Sequence, residues 1–209
     1  MQVIYIGLAI LIGAGLILFG VGTGGGGGGL FGGLIGSNSN SNSANSAVNS
    51  ATKGAIAKTK KHPQSPAAWS QLVAARYSAA RTDGFDSTTS TFTPAGKAQL
   101  TLLTQAYERY SKLTSKPSAN TAIYAARAYD QLGQWSKGSA AWQLVTQRDP
   151  TDLSGLECVA VTSSLAKDKR VAALAQNRLL SRLPKSVRKS DKATLTAAEK
   201  SGTDAKQLC

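Results

Sequence analysis

The sequence predicts an all-α protein in which helical hairpins follow one apolar N-terminal segment and a polar linker. Apolar side chains recur at helical spacing from residue 65 onward, and Pro150 and Pro184 end two successive units of similar length. The first charged side chain is Lys53, so the chain divides into an uncharged part and a globular part. We expect a transmembrane helix over 1–22, a linker over 23–64, helical repeats over 65–189, and a capping helix with a tail over 190–209.

The N-terminal segment, residues 3–21, contains no charged or strongly polar side chain. About twenty apolar residues suffice for a helix to cross a bilayer. The sequence therefore predicts a single-pass protein of the cell membrane. A cleaved signal peptide is the alternative, but the segment lacks a basic N-terminal region and an Ala-x-Ala site. No Lys or Arg lies near either end of the segment, so the side of the membrane that holds the repeats stays open.

The linker is Gly-rich over residues 22–36 and alternates Ser with Asn over much of 37–50. A phosphate-binding loop would need a Lys-Ser or Lys-Thr pair after its glycines, and none follows. So little apolar surface is available that we expect a flexible, disordered connection between membrane and domain.

The best helical hairpin lies in residues 119–152. Its first helix has small residues and an aromatic at helical spacing, a turn follows at Gly133, and a second helix ends at Pro150. The residues of this pattern are Ala122, Ala125, Ala126, Tyr129, Leu132, Trp135, Ala141, Trp142 and Val145. The following stretch, up to Pro184, repeats the plan less closely, with Leu156, Val159, Ala160, Ala172, Ala173, Leu179 and Leu180.

These spacings resemble those of the tetratricopeptide repeat family, whose period of about 34 residues is also the separation of Pro150 from Pro184. The resemblance implies a short α-solenoid of helical hairpins. An earlier, degenerate unit would begin at Pro66 and end before Pro117. Its helices are separated by residues 82–93, which are either an insertion or a sign that the first helix is longer. A short helix around Leu195 would cap the array, as terminal repeats require.

No arrangement of residues in the sequence predicts catalysis. The single histidine, His62, falls in the predicted linker, and the acidic residues are dispersed. We therefore expect no enzyme activity, no cofactor and no metal site. Cys158 lies in an apolar run and is interpreted as a buried small side chain. Whether it pairs with Cys209 is left open.

The family resemblance implies binding of a protein or peptide partner on the surface formed by the first helix of each repeat. The residues expected to project there are Asn120, Tyr124, Arg127, Asp130 and Glu157. The leading hypothesis is therefore a membrane-anchored scaffold for protein–protein interaction, held to the membrane by its N-terminal helix. Nucleic acid is not expected as its partner, and the sequence does not predict an oligomeric state.

Two other hypotheses remain open. The net charge is +13, and residues 167–192 are rich in Lys and Arg, so the C-terminal helices could instead bind anionic lipid or nucleic acid electrostatically. The protein could also be a structural subunit in which the inner surface is filled by its own C-terminal tail.

Overall fold

The computed structural model describes residues 41–209, with side chains from Asn45 onward. The predicted transmembrane helix and the linker up to residue 40 lie outside the described residues. The described chain is all-α apart from two very short strands, which confirms the predicted class. None of the helices between residues 41 and 209 is long and apolar enough to cross a bilayer.

The helices follow one another closely along the chain. They are α1 (Ser41–Lys61), α2 (Pro66–Gly84), α3 (Pro94–Leu113), α4 (Ala119–Gln131), α5 (Trp135–Arg148), α6 (Leu153–Leu165), α7 (Lys169–Arg182), α8 (Arg188–Ala198) and α9 (Gly202–Leu208), and the strands are β1 (Phe85–Asp86) and β2 (Thr91–Phe92). From α2 to α7 each helix packs against the one that follows it in the sequence.

Helix α1 occupies the region that we predicted to be a disordered linker, and over residues 41–61 that prediction is wrong. The helix buries a stripe of small side chains at helical spacing, which its polar composition had obscured. The stripe consists of Val48, Thr52, Ala55 and Thr59. The buried hydroxyl of Thr52 donates to the Val48 carbonyl at 2.9 Å, so its burial leaves no hydrogen bond unmade.

The first hairpin joins α2 and α3, and both helices begin with a capping hydroxyl followed by proline. The Ser65 Oγ accepts from the Ala68 amide, and the Thr93 Oγ1 accepts from the Gly96 amide. The helices have 19 and 20 residues, against 13 and 14 for α4 and α5. Strands β1 and β2 pair antiparallel between them, with Phe85 opposite Phe92. Residues 82–93 thus combine both alternatives, because the helices are longer and a small β-hairpin is inserted.

The backbones of Gly84, at the end of α2, and Gly96, near the start of α3, are in direct contact. A Cβ atom built on either glycine would overlap the backbone of the other. The Thr93 amide also donates to the Gly84 carbonyl at 2.9 Å, which fixes the end of α2 against the start of α3. Only glycine fits at both positions, because any side chain would force the two backbones apart.

The second and third hairpins, α4–α5 and α6–α7, recur at the same interval that separates Pro150 from Pro184. Helices α4 and α6 begin at Ala119 and Leu153, and helices α5 and α7 begin at Trp135 and Lys169. The N-cap side chains that precede α4 and α6, Ser118 and Asp152, have the same spacing. The period predicted from the two prolines is therefore also the period of the helices.

The two turns inside these hairpins have the same backbone hydrogen bonds. Gln134 N donates to the Tyr129 carbonyl at 2.8 Å, and Asp168 N donates to the Ser163 carbonyl at 2.9 Å. Each turn contains one left-handed residue, Gly133 with φ 71° and Lys167 with φ 65°. Glycine adopts this conformation without strain, whereas lysine does not.

The C-terminal helices turn back onto the hairpins. Helix α8 packs against α6 and α7, and helix α9 packs against α4 and α6. A disulfide between Cys158 in α6 and Cys209 after α9 joins segments 51 residues apart in the sequence. The predicted capping region, 190–209, is thus two short helices, of which the second lies along the first helices of two hairpins.

The glycine contact predicts a steric effect on stability. Gly84→Ala should lower the free energy of unfolding by roughly 2–4 kcal/mol, because the added Cβ overlaps backbone rather than a movable side chain. The measurement is urea unfolding of residues 45–209 followed by circular dichroism. Gly54→Ala is the control, since nothing lies near a Cβ there, and it should stabilise by about 0.5–1 kcal/mol. Equal effects at both sites would contradict the contact.

The paired turns predict opposite effects of opposite substitutions. Lys167→Gly should raise the free energy of unfolding by about 1 kcal/mol, because it removes the strain of a left-handed lysine. Gly133→Ala should lower it by about as much, and no atom lies near the added Cβ, so the loss reports backbone conformation alone. Both are measured by denaturant unfolding. The turn geometry is wrong if Lys167→Gly destabilises the domain.

Candidate binding groove

A cavity of about 560 Å³ opens between α2, the β-hairpin, α3, α4 and α9, and we call it the basic cavity. The first helices of two successive hairpins, α2 and α4, pack against each other, and both contribute residues to its lining. The described residues that line it are Tyr77, Arg81, Phe85, Ser90, Phe92, Leu100, Arg127, Gln131, Lys206, Gln207, Leu208 and Cys209.

Aromatic contacts give the basic cavity a rigid apolar part. Phe85 and Phe92 face each other across the β-hairpin, with ring centroids 5.1 Å apart in an edge-to-face arrangement. Tyr77 stacks on Tyr124 with centroids 4.7 Å apart, which joins α2 to α4. Such pairs add about 0.5–1.5 kcal/mol each beyond the burial of their area. These aromatic side chains therefore hold their positions before any partner arrives.

Three cations line the basic cavity: Arg81, Arg127 and Lys206. The Arg81 guanidinium lies over the Phe85 ring at 5.1 Å, and the Lys206 ammonium lies 5.9 Å from the centroid of Trp135. None of the described side chains that line the cavity is acidic. These side chains make the lining electropositive, and arginine can form two parallel hydrogen bonds to a carboxylate there.

Helix α9 forms one wall of the cavity. The Gln131 amide in α4 donates to the Lys206 carbonyl at 2.8 Å, and the disulfide attaches Cys209 to buried Cys158 in α6, with Cα atoms 5.5 Å apart. A helix of seven residues has little stability alone. Closing a loop of this length with a disulfide contributes about 4 kcal/mol in the chain-entropy model. The pairing that the sequence left open is thus what holds the wall in place.

The tail only partly matches the hypothesis of a structural subunit with a filled inner surface. Helix α9 covers parts of α4 and α6, as that hypothesis requires. The basic cavity nevertheless stays open beside α9, because the tail lines it rather than fills it. A partner could therefore reach this surface with the tail in place.

Two of the predicted partner-binding residues belong to this region. Arg127 lines the basic cavity, and Tyr124 supports it by stacking on Tyr77. Asn120 is exposed in the first turn of α4 but is not among the described residues lining the cavity. The face of α4 that the sequence predicts to bind a partner therefore reaches the cavity in the middle of the helix, at Arg127. It does not reach the cavity in the first turn, at Asn120.

Asp130 does not project from α4, and the prediction of its position is wrong. Its side chain is 1% exposed, and its Oδ2 accepts from the Trp142 indole N–H at 2.7 Å. Burial raises the pKa of Asp130 to about 7, although the Trp142 hydrogen bond opposes the shift. The residues of α4 that line the cavity are Arg127 and, four positions later, Gln131. Asp130, three positions after Arg127, lies on the buried face of the helix instead.

Glu157 lies on α6 at its contact with α8, and not in the basic cavity. It is half-buried, and its pKa is raised by burial and by the neighbouring charge of Asp191 in α8. At the interval of the hairpins Glu157 corresponds to Ile123 of the preceding hairpin, and α8 packs against the helix that carries it. The predicted set of five residues is divided among the cavity, the exposed start of α4, the core and the α6–α8 contact.

Sequence reasoning missed the residues that come from outside the two best repeats. Tyr77 and Arg81 lie one turn apart in α2, and Phe85 and Phe92 lie in residues 82–93, which we treated as a connection. Lys206 and Cys209 lie in the predicted tail. The even number of cysteines was the one available signal, because a pair would bring the tail back onto α6.

A second basic surface lies on α8 and the turn that follows it. A shallow concavity of about 500 Å³ is lined by Lys189, Lys192, Lys200, Ala193, Thr196 and Ala197 among the described residues. It overlaps the region that we considered for electrostatic binding. Within residues 45–209 the structure contains no group of His, Cys, Asp and Glu side chains that could hold a metal ion.

The buried Asp130 carboxyl predicts a pH effect on stability. Its pKa is about 7 in the folded domain and close to the ordinary 3.8 when unfolded, so the folded state favours the protonated form. Its contribution is fully present below the unfolded pKa and is lost as pH rises toward 7. Between pH 5 and 8 the native domain should lose roughly 2.5–3 kcal/mol through this group.

Asp130→Asn removes the titration, so the stability of this variant should fall less between pH 5 and 8. Urea unfolding of both proteins at the two pH values measures the difference. The raised pKa values of Glu157 and Glu199 act in the same direction and remain in both proteins. Parallel pH profiles would show that Asp130 is charged in the folded state.

Comparisons of this chain with known proteins found no matching family model, no matching curated protein and no matching solved structure.

Proposed function

We propose that this chain is a membrane-anchored scaffold that binds a protein or peptide partner in the basic cavity. The observation that carries the proposal is the cavity itself, which combines cations with a rigid aromatic wall between helices α2 and α4. Aromatic and arginine side chains dominate the energetics of most protein interfaces.

The proposal includes a tetratricopeptide-like fold for the hairpins, arranged as a short α-solenoid. Its support is one shared interval, which separates the starts of α4 and α6 and also separates the left-handed residues Gly133 and Lys167. That interval equals the period of the tetratricopeptide family, about 34 residues. In such arrays the first helices of the hairpins form the binding surface. The basic cavity lies against two of them, α2 and α4.

The proposed anchor is the apolar segment 3–21 of the sequence, and the proposed side for the domain is the oxidising, non-cytoplasmic one. The support for this side is the disulfide between Cys158 and Cys209, because disulfides persist outside the reducing cytosol. The membrane would then hold the cavity close to partners in or beside the same membrane.

Binding without catalysis is the activity that we propose for the cavity. Its charged side chains, Arg81, Arg127 and Lys206, all carry the same sign. General acid–base chemistry needs a group that accepts a proton beside one that donates it. A set of cations with an apolar wall instead suits recognition of an anionic group.

The α8 surface supports a second candidate function, which is electrostatic binding of an anionic lipid surface. Lys189, Lys192 and Lys200 lie together there, and each lysine near a headgroup contributes about 1 kcal/mol. Binding of this kind would weaken steeply with salt and would not need the basic cavity.

Site-specific photo-crosslinking in intact membranes tests the proposed function. A benzophenone amino acid replaces Tyr124, which lies beside the cavity, in the full-length chain. We expect a discrete adduct with a protein, because a bound partner would lie within reach of this position. Arg127→Glu in the same chain should reduce the adduct at least several-fold.

The control places the same group at Leu174, an exposed position on the second helix of the third hairpin. This position should give no adduct of the same mass. Equal adducts at both positions, or an adduct at position 124 that Arg127→Glu leaves unchanged, would contradict partner binding in the cavity.

A further inference from the structure

We propose that the basic cavity selects an acidic protein segment, and that the disulfide-tethered helix α9 is a required wall of this site. This inference rests on the proposed function and adds the chemistry of the partner and the part played by the tail. We therefore expect binding of the same partner to be lost in two cases: when the cavity cations are replaced by acidic residues, and when the disulfide that holds the tail is broken.

The charges of the lining determine the sign of the partner. Arg81 comes from α2, Arg127 from α4 and Lys206 from α9, so three separate elements each bring a cation to one cavity. No described lining side chain supplies a carboxylate to neutralise them. A partner segment with two or three carboxylates would complete the site by charge complementarity.

The apolar wall indicates that the partner carries an apolar group as well as negative charge. Half-buried Phe85 and Tyr77 line the same cavity together with the buried side chains of Phe92 and Leu100, and Tyr77 is fixed by its stack on Tyr124. A single-stranded nucleic acid would stack its bases on open ring faces. One face of Phe85 is covered by Arg81 and one face of Tyr77 by Tyr124, whereas a peptide can place an apolar side chain between its carboxylates. The observations therefore favour an acidic protein segment over a nucleic acid.

Helix α9 contributes one wall of the cavity as well as the charge of Lys206. Residues 206–209 form one side of the cavity, and the contacts that hold them include the Gln131–Lys206 hydrogen bond and the disulfide. Two electrons and two protons from a dithiol reductant convert the disulfide into two thiols, while the dithiol becomes a disulfide. The tail then loses its covalent tie and the cavity loses one wall.

The test uses the full-length chain in an uncharged detergent and a fluorescein-labelled peptide that alternates glutamate and serine around a central phenylalanine. Fluorescence anisotropy measures its affinity, with a second peptide carrying glutamine in place of glutamate. We expect the acidic peptide to bind at least tenfold more tightly. The double variant Arg81→Glu and Arg127→Glu should weaken its binding by roughly tenfold or more.

The matched control reverses two lysines outside the cavity, Lys189→Glu and Lys192→Glu on α8. It has the same change in net charge, so it should alter the affinity less than threefold. If the α8 variant loses as much binding as the cavity variant, the inference is overturned. It is also overturned if a single-stranded oligonucleotide competes for the cavity as strongly as the acidic peptide.

Release of the tail is tested with Cys209→Ser and, independently, with dithiothreitol on the unchanged chain. Both treatments should lower the affinity for the acidic peptide at least fivefold. The far-ultraviolet circular dichroism spectrum should remain that of a helical protein. Unchanged affinity with a reduced disulfide would overturn the role of α9. A Tyr124 photo-adduct in membranes, together with no preference for the acidic peptide, would overturn this inference alone and leave the proposed function standing.

Discussion

The disulfide between Cys158 and Cys209 is the constraint on which the shape of the basic cavity depends. It holds a seven-residue helix, too short to be stable alone, against the first helices of two hairpins. Without that helix the basic cavity would be bounded by α2, α3, the β-hairpin and α4 only. A bond between two residues 51 positions apart therefore determines the shape of a site whose other residues come from earlier elements of the domain.

The hairpins supply the rigid frame for this arrangement. Each helix packs on its neighbours in the sequence, so the domain is built largely from contacts between adjacent elements. Close packing is obtained with small residues: glycines where α2 meets α3, and alanines along α4. The aromatic side chains near the cavity are fixed within this frame, which reduces the conformational entropy that a partner would otherwise have to remove.

The helices of the second and third hairpins could be predicted from the sequence, because their apolar spacing and turn residues are local signals. The folding of residues 41–61 could not, since a stripe led by Val48 and Ala55 is weak evidence within a polar tract. Arg127 was found because it lies on a strongly periodic helix. On the same helix the sequence predicted that Asp130 faces the surface, whereas the residue that does so is its neighbour Gln131. Lys206 was missed because its position depends on a long-range disulfide.

Peptide mapping of the full-length chain from intact cells, alkylated before lysis and digested with trypsin without reduction, shows directly whether the tail is tied to α6. We expect one disulfide-linked species that joins residues 149–167 to residues 207–209, with neither cysteine alkylated. The same species should disappear on reduction. Recovery of both peptides as separate alkylated species would contradict the tethered tail, and with it both the shape proposed for the cavity and its location in an oxidising compartment.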